Sequence, residues 1–194
     1  MENSKDGKNV MTKFAIVARM LLLAGIAAAQ SPFSGNIFVG YSYYNTDVIP
    51  FDRAGLNGLQ GSLEGKVLPH FSIVADLGAH YGSKDFFPPG ILCPIGGCQP
   101  VHANMHIYDA MFGPRFFADF GRFRPFQEFE VGVSHLTSTA LGNSTSFSGA
   151  IGGGLDYRII RPIAWRVQGD FVWTHLNGAP QSTFRLATGL VFRF

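Results

Sequence analysis

Trp165-Arg166-Val167-Gln168-Gly169-Asp170-Phe171-Val172-Trp173-Thr174 changes character at every step. Trp165, Val167, Gly169, Phe171 and Trp173 fall on one side of an extended chain, and Arg166, Gln168, Asp170, Val172 and Thr174 on the other. A period of two means a β-strand with one apolar and one polar face. From Trp165 to Trp173 such a strand rises about 26 Å at ~3.3 Å per residue. With the usual tilt this is about 20 Å of height, close to the ~25 Å apolar band of a transmembrane barrel and its aromatic girdles.

The same period continues in both directions. Ile37, Val39, Tyr41 and Tyr43 share one face. Leu59, Gly61, Leu63, Gly65 and Val67 alternate with Gln60, Ser62, Glu64 and Lys66, and Phe71 to Tyr81 alternate with Ser72 to Gly82. Tyr108, Ala110, Phe112 and Phe116 face away from Asp109, Met111, Gly113 and Arg115. Phe129, Val131 and Val133 oppose Glu128, Glu130, Gly132 and Ser134, and Gly149, Ile151, Gly153, Leu155 and Tyr157 oppose Ser148, Gly152, Gly154, Asp156 and Arg158. Phe184, Leu186, Thr188, Leu190, Phe192 and Phe194 alternate with Arg185, Ala187, Gly189, Val191 and Arg193. These segments make eight strands in all. Their connections alternate in length. Gly-, Pro-, Asn- and Ser-rich loops are expected over 45–57, 83–104, 138–146 and 176–182. Tight links fall at Leu68-Pro69-His70, around Gly121 and at Ile160-Arg161-Pro162. Long loops at one end and short turns at the other are the layout of outer-membrane barrels.

The polar face carries Glu64, Lys66, Asp76, Asp109, Arg115, Glu128, Glu130, Asp156, Arg158, Arg166, Asp170, Arg185 and Arg193, with signs close to balance. Inside a closed barrel these groups are expected to pair, the condition for burying them. Gly78, Gly113, Gly132, Gly152, Gly154 and Gly189 on the same face leave room for long Arg side chains. The competing arrangement, a soluble lipocalin-like barrel, puts this face in water. The aromatics favour lipid. Trp165 and Trp173 mark the two interfaces, and Phe116, Phe117, Phe120, Phe123 and Phe126 crowd one turn at the level of Trp165 and Phe194.

Composition agrees. Only 14% of residues are charged, against ~25% in ordinary soluble domains. A net charge of +2 with no basic run gives no nucleic-acid partner. Lys5, Lys8 and Lys13, an apolar run from Phe14 to Ala29 broken only by Arg19, and Ala27-Ala28-Ala29 have the layout of a secretory signal peptide. Met11 is a second candidate start, and an uncleaved anchor helix is the alternative, although the run falls short of the ~20 apolar residues of a span. The expected domains are a signal peptide over 1–29 and a barrel over 30–194. N-terminal sequencing of the mature protein should begin at or near Gln30; a mature form retaining Lys13 to Ile26 would contradict this. Export also places Cys93 and Cys98 in an oxidising compartment, where a disulfide closing a small loop is expected. Two free thiols in protein recovered without reductant would count against that bond. A metal site adding His102 and His106 is the weaker reading of the same cysteines.

The chain ends Thr188-Gly189-Leu190-Val191-Phe192-Arg193-Phe194. Gly189, Phe192 and Phe194 resemble the C-terminal signal by which outer-membrane barrels are read by their assembly machinery; Ala187 stands where that pattern has a polar residue. With the leader and the strand count, the chain resembles the small eight-stranded OmpA/OmpX-type outer-membrane β-barrel family, without the peptidoglycan-binding domain of full-length OmpA. The resemblance implies an all-β, antiparallel, up-and-down transmembrane barrel in a bacterial outer membrane. It also implies outer-membrane lipid, the assembly machinery and an extracellular partner at the loops as contacts.

Fold does not set function. The first expectation is a non-enzymatic, cofactor-free barrel with a structural or surface-interaction role. Its interior is plugged by charge, or at most a narrow pore, because side chains fill an eight-stranded barrel. The alternative is an outer-membrane lipid-modifying hydrolase, for which His135 with Ser134 or Ser138, and His175 with Asp170, are the nearest material. A hydrophobic-ligand conduit would need a gap in the barrel wall.

Overall fold

The chain forms β1 (Gly35–Ile49), β2 (Asp52–Leu68), β3 (Phe71–Phe86), β4 (Val101–Phe117), β5 (Phe123–Ser138), β6 (Gly142–Ile160), β7 (Ile163–Thr174) and β8 (Gln181–Arg193). The computed structural model describes residues 34–49, 52–86, 101–139, 142–175 and 181–194. The expected signal peptide and the Cys93–Cys98 pair lie outside the described residues. Each strand pairs antiparallel with its neighbours in sequence, and β8 returns to β1 to close the barrel. The closing seam runs in register from Asn36↔Arg193 to Asn45↔Phe184. Beyond it Phe194 and Gly35 exchange two backbone hydrogen bonds of 3.0 Å. Closure leaves no free sheet edge, as a structure surrounded by lipid requires.

At the end where Gly35 and Phe194 meet, the strands are joined by Pro69–His70, by residues 118–122 and by Arg161–Pro162; at the other end β1 and β2 are separated by only two residues and β5 and β6 by three, so the expected alternation of long and short connections does not hold. Gly121, at φ 61°, supplies the left-handed residue that the second turn needs. Both ends of the barrel chain lie with these turns.

The polar face points inward. Arg115, Arg166 and Arg185 are each 0% exposed, while Leu59, Phe112 and Phe171 on the outside are 66%, 59% and 57% exposed. Isolated exposed apolar residues are ordinary, but a continuous outward belt of Val, Leu, Ile and Phe marks a membrane surface. This inside-out arrangement excludes the soluble lipocalin-like alternative. Trp165 and Trp173 both face outward.

The strands are longer than the sequence periodicity indicates. Most of the expected loops over 45–57 and 138–146 are strand, β3 and β4 take both ends of the one over 83–104, and β8 begins at Gln181. In these extensions the alternation reverses sense. Ala54, Leu56, Ala103, Met105 and Leu136 are buried inside, while Arg53, Asn57, Ser83, Asp85, His102, Asn104 and Asn143 face outward. The reversal has a plain cause. Six strands of 15 to 19 residues rise about 35–45 Å when tilted, well beyond the ~25 Å apolar band. Above lipid the outside meets water and must be polar, so the apolar residues turn inward as in a soluble barrel. β7 and β8, at 12 and 13 residues, are shorter.

Candidate functional site

Within the membrane band the barrel interior is an ion-pair lattice. Arg115 is held between two strands: its Nη1 donates to Glu64 Oε2 at 2.8 Å, and its Nε donates to Glu128 Oε2 at 2.7 Å. Arg124 Nη2 donates to the other oxygen of Glu64 at 2.5 Å, and Asn36 adds a 3.0 Å bond to that carboxylate. Arg166 grips Asp156 with both arms, at 2.6 and 3.0 Å. Such bidentate pairing gives direction as well as energy. Phe126 lies under Arg115 and Arg166 at 4.4 and 4.5 Å, and Phe117 under Arg124 at 3.7 Å. These are cation–π contacts between buried groups.

One layer toward the loops, Arg185 donates to Asp170 and Asp76, each at 2.8 Å, and lies 3.6 Å from Glu130. Gln60 donates to Asp76 at 2.6 Å. Gln168 joins the two layers by donating to Glu128 at 2.5 Å and Asp170 at 3.0 Å. Above this, Ser134 donates to Asp109 at 2.5 Å, and His80 reaches Ser42 at 2.9 Å beneath the Tyr44 ring. The lattice is then covered by a dry cluster that includes Tyr44, Leu56, Met105, Ile107, Leu136 and Val172. A smaller cluster of Phe38, Ala164, Ala187 and Val191 lies toward the turns.

Of the residues expected in this network, Glu64, Asp76, Asp109, Arg115, Glu128, Glu130, Asp156, Arg166, Asp170 and Arg185 are buried inside. Three placements need correction. Lys66 is exposed, with its amine 5.3 Å from the Phe117 ring, because β2 has reached the rim there. Arg158 lies half-buried at the rim, where it donates to the Gly121 carbonyl instead of joining the network. Arg193 is only at the margin, 3.7 Å from Asp156 with a side chain 20% exposed. Sequence reasoning missed Arg124, which shares the inward parity of Glu128 on the unexpectedly early start of β5. Phe117 and Phe126, expected at the lipid interface, also point inward. The buried set is therefore richer in carboxylates than in arginines; neutral donors such as Gln60, Gln168, Ser134 and Asn36 bond to several of them, while both oxygens of Glu130 have no hydrogen-bond partner among the described residues.

The interior glycines have two distinct uses. A Cβ at Gly78 would stand 2.9 Å from His80, and one at Gly152 would strike the Asp170 carboxylate, so these positions make space for side chains. At Gly113, Gly132 and Gly189 a Cβ would collide with the neighbouring strand's backbone. Gly189 faces Gly40 across the closing seam, so the glycine of the C-terminal motif also has a packing role there.

The candidate hydrolase residues are not brought together. His135 sits on the outer wall with Nδ1 2.7 Å from Thr145 Oγ1, while Ser134 and Ser138 are buried on the opposite face. His175 is exposed, whereas Asp170 is engaged with Arg185 inside. His102 pairs with Asp85 at 2.6 Å and His106 packs on Tyr81. Among the described residues no three such groups form a metal site. The β4–β5 ladder skips Gly113 and Pro114, whose missing N–H interrupts it. A hollow of about 450 Å³ lies at this seam, lined by Phe112, Val131, Ile151 and Trp173 and reaching Glu130.

An inward charge lattice, an outward apolar belt and eight up-and-down strands together define the architecture. The chain has the fold of the eight-stranded outer-membrane β-barrels. It is similar to Neisserial surface protein A (TM-score 0.65, 10% identity, 82% of this chain and 97% of that one). A major outer membrane protein from Thermus thermophilus is similar too (TM-score 0.57, 9% identity, 84% and 100%). So is Ail, the attachment invasion locus protein of Yersinia pestis (TM-score 0.51, 13% identity, 84% and 100%). No family model and no curated protein matches the sequence. The barrel is thus an outer-membrane protein by fold.

Proposed function

We propose that this outer-membrane barrel is a sealed, non-catalytic scaffold that presents its extended loop end to a partner at the cell surface. The observation carrying the proposal is the double closure of the lumen. Paired arginines and carboxylates fill the membrane section, and Leu56, Met105, Ile107 and Leu136 fill the section above it. A diffusion pore needs a continuous wet path, and a buried apolar layer opposes one. The separation of His135 from Ser134 and Ser138 supports a non-catalytic role. So does the engagement of Asp170 by Arg185. Six strands rising past the lipid support surface presentation, since above the lipid their outward face carries polar residues such as Arg53, Asp85, His102 and Asn104. The names of two proteins of this fold, a surface protein and an attachment invasion locus protein, agree with such a role.

The test is a lipid-hydrolysis assay on protein reconstituted in phospholipid and lipopolysaccharide vesicles. No release of fatty acid above protein-free vesicles is expected. Release that disappears in His135→Ala or His175→Ala would contradict the non-catalytic reading.

A further inference from the structure

Side-chain charge at the rim of the turn end is mostly positive. Among the described residues, Lys66, Arg122 and Arg161 are exposed there and Arg158 and Arg193 are half-buried, against the exposed side-chain carboxylate of Asp119, which is 3.8 Å from Arg124. Three of these arginines line one hollow. The turn around Gly121 and the turn at Arg161–Pro162 lie side by side, tied by a 2.8 Å bond from the Arg158 amide to the Arg122 carbonyl. Between them Gly121, Arg122, Arg158, Ile159, Ile160 and Arg161 enclose about 410 Å³. Among the described residues Arg122, Arg158 and Arg161 have no carboxylate partner, although Arg124 and Arg166, on neighbouring strands, are paired inside. Arginines collected without counter-charge present forked donors that suit a phosphate.

The surroundings indicate which phosphate. Ile159 and Ile160 are 51% and 53% exposed in the midst of the arginines, so the hollow is amphipathic. Phe123 and Tyr157 stack at 5.2 Å immediately beside it, and Tyr157 pairs in register with Trp165 of the girdle. The hollow therefore lies at headgroup level, where an apolar floor meets acyl chains and a cationic rim meets phosphate. A free phosphate has no use for the isoleucines.

We propose that Arg122, Arg158 and Arg161 form a headgroup site for an anionic phospholipid of the leaflet on the turn side. Basic side chains near a membrane surface favour anionic lipid, so a preference on the order of tenfold or more over zwitterionic lipid is expected. It weakens with salt, because the rim is exposed.

The experiment uses the full mature chain carrying Trp173→Phe, which leaves Trp165 as the single tryptophan beside the hollow. The protein is refolded into phosphatidylcholine vesicles doped with brominated phosphatidylglycerol or brominated phosphatidylcholine, and Trp165 quenching is recorded. Stronger quenching by the glycerol lipid is expected, and its loss in Arg122→Gln/Arg158→Gln/Arg161→Gln. Quenching by the choline lipid should be equal in both proteins, which shows that the variant has inserted. Equal quenching by the two lipids in the unmodified rim, or a preference that persists in the triple variant, would overturn the site. Displacement of the preference by millimolar inorganic phosphate at matched ionic strength would assign the hollow to free phosphate and overturn the lipid assignment.

Discussion

Replacing Arg185 with methionine is expected to destabilise the barrel by about 3–5 kcal/mol. Arg185 is fully buried and is the cation shared by Asp76 and Asp170, with Glu130 close by. Its removal leaves these carboxylates in a dry lumen without their counter-charge. Breaking a buried pair on one side costs far more than replacing all its members with neutral groups of similar volume. Arg185→Met combined with Asp76→Asn and Asp170→Asn should therefore recover most of the loss. Urea unfolding of detergent-refolded protein, followed by tryptophan fluorescence, compares the two variants. A single variant as stable as the parent would mean that water already reaches Arg185. A triple variant no better than the single would place the cost in packing.

Deleting Phe194 should lower the outer-membrane level in cells sharply and the refolded stability only modestly. Phe194 lies on the lipid side, 58% exposed, and its two bonds to Gly35 close the last rung between β8 and β1. That rung is at the water-facing end, where solvent can replace the lost partners, so the thermodynamic cost is about 0.5–1.5 kcal/mol per bond at most. A recognition signal behaves differently, because it is read before the barrel closes. Refolding the variant in detergent and measuring its membrane level in vivo separate the effects. Losses of the same size in both would identify plain stability, and unchanged levels in both would make the terminal Phe incidental to assembly.

The membrane section was legible because lipid imposes one rule on every strand. Trp165 to Thr174 and Phe184 to Arg193 obey it throughout, and both strands are found where the period places them. The aqueous section was not legible for the converse reason. Around Leu56 and Met105 the apolar residue is inside and the outward neighbours are Asn57 and Asn104. Read with the membrane rule, such segments look like polar loops. Arg124 escaped for a related reason. It sits between Phe123 and Phe126, and the aromatic run hid an inward parity already set by Glu128. The Arg122–Arg158–Arg161 hollow could not be read from sequence, since it depends on two turns far apart in the chain lying side by side.

Planar-bilayer conductance of the refolded mature barrel tests the sealed lumen most directly. The account predicts no steady conductance from the unmodified protein. It predicts steps only when the dry layer is opened, as in Leu56→Ser/Met105→Ser/Leu136→Ser combined with Arg185→Ala. Large, steady steps from the unmodified protein would contradict it, because ions would then cross the layers that Leu56 and Arg185 are held to close.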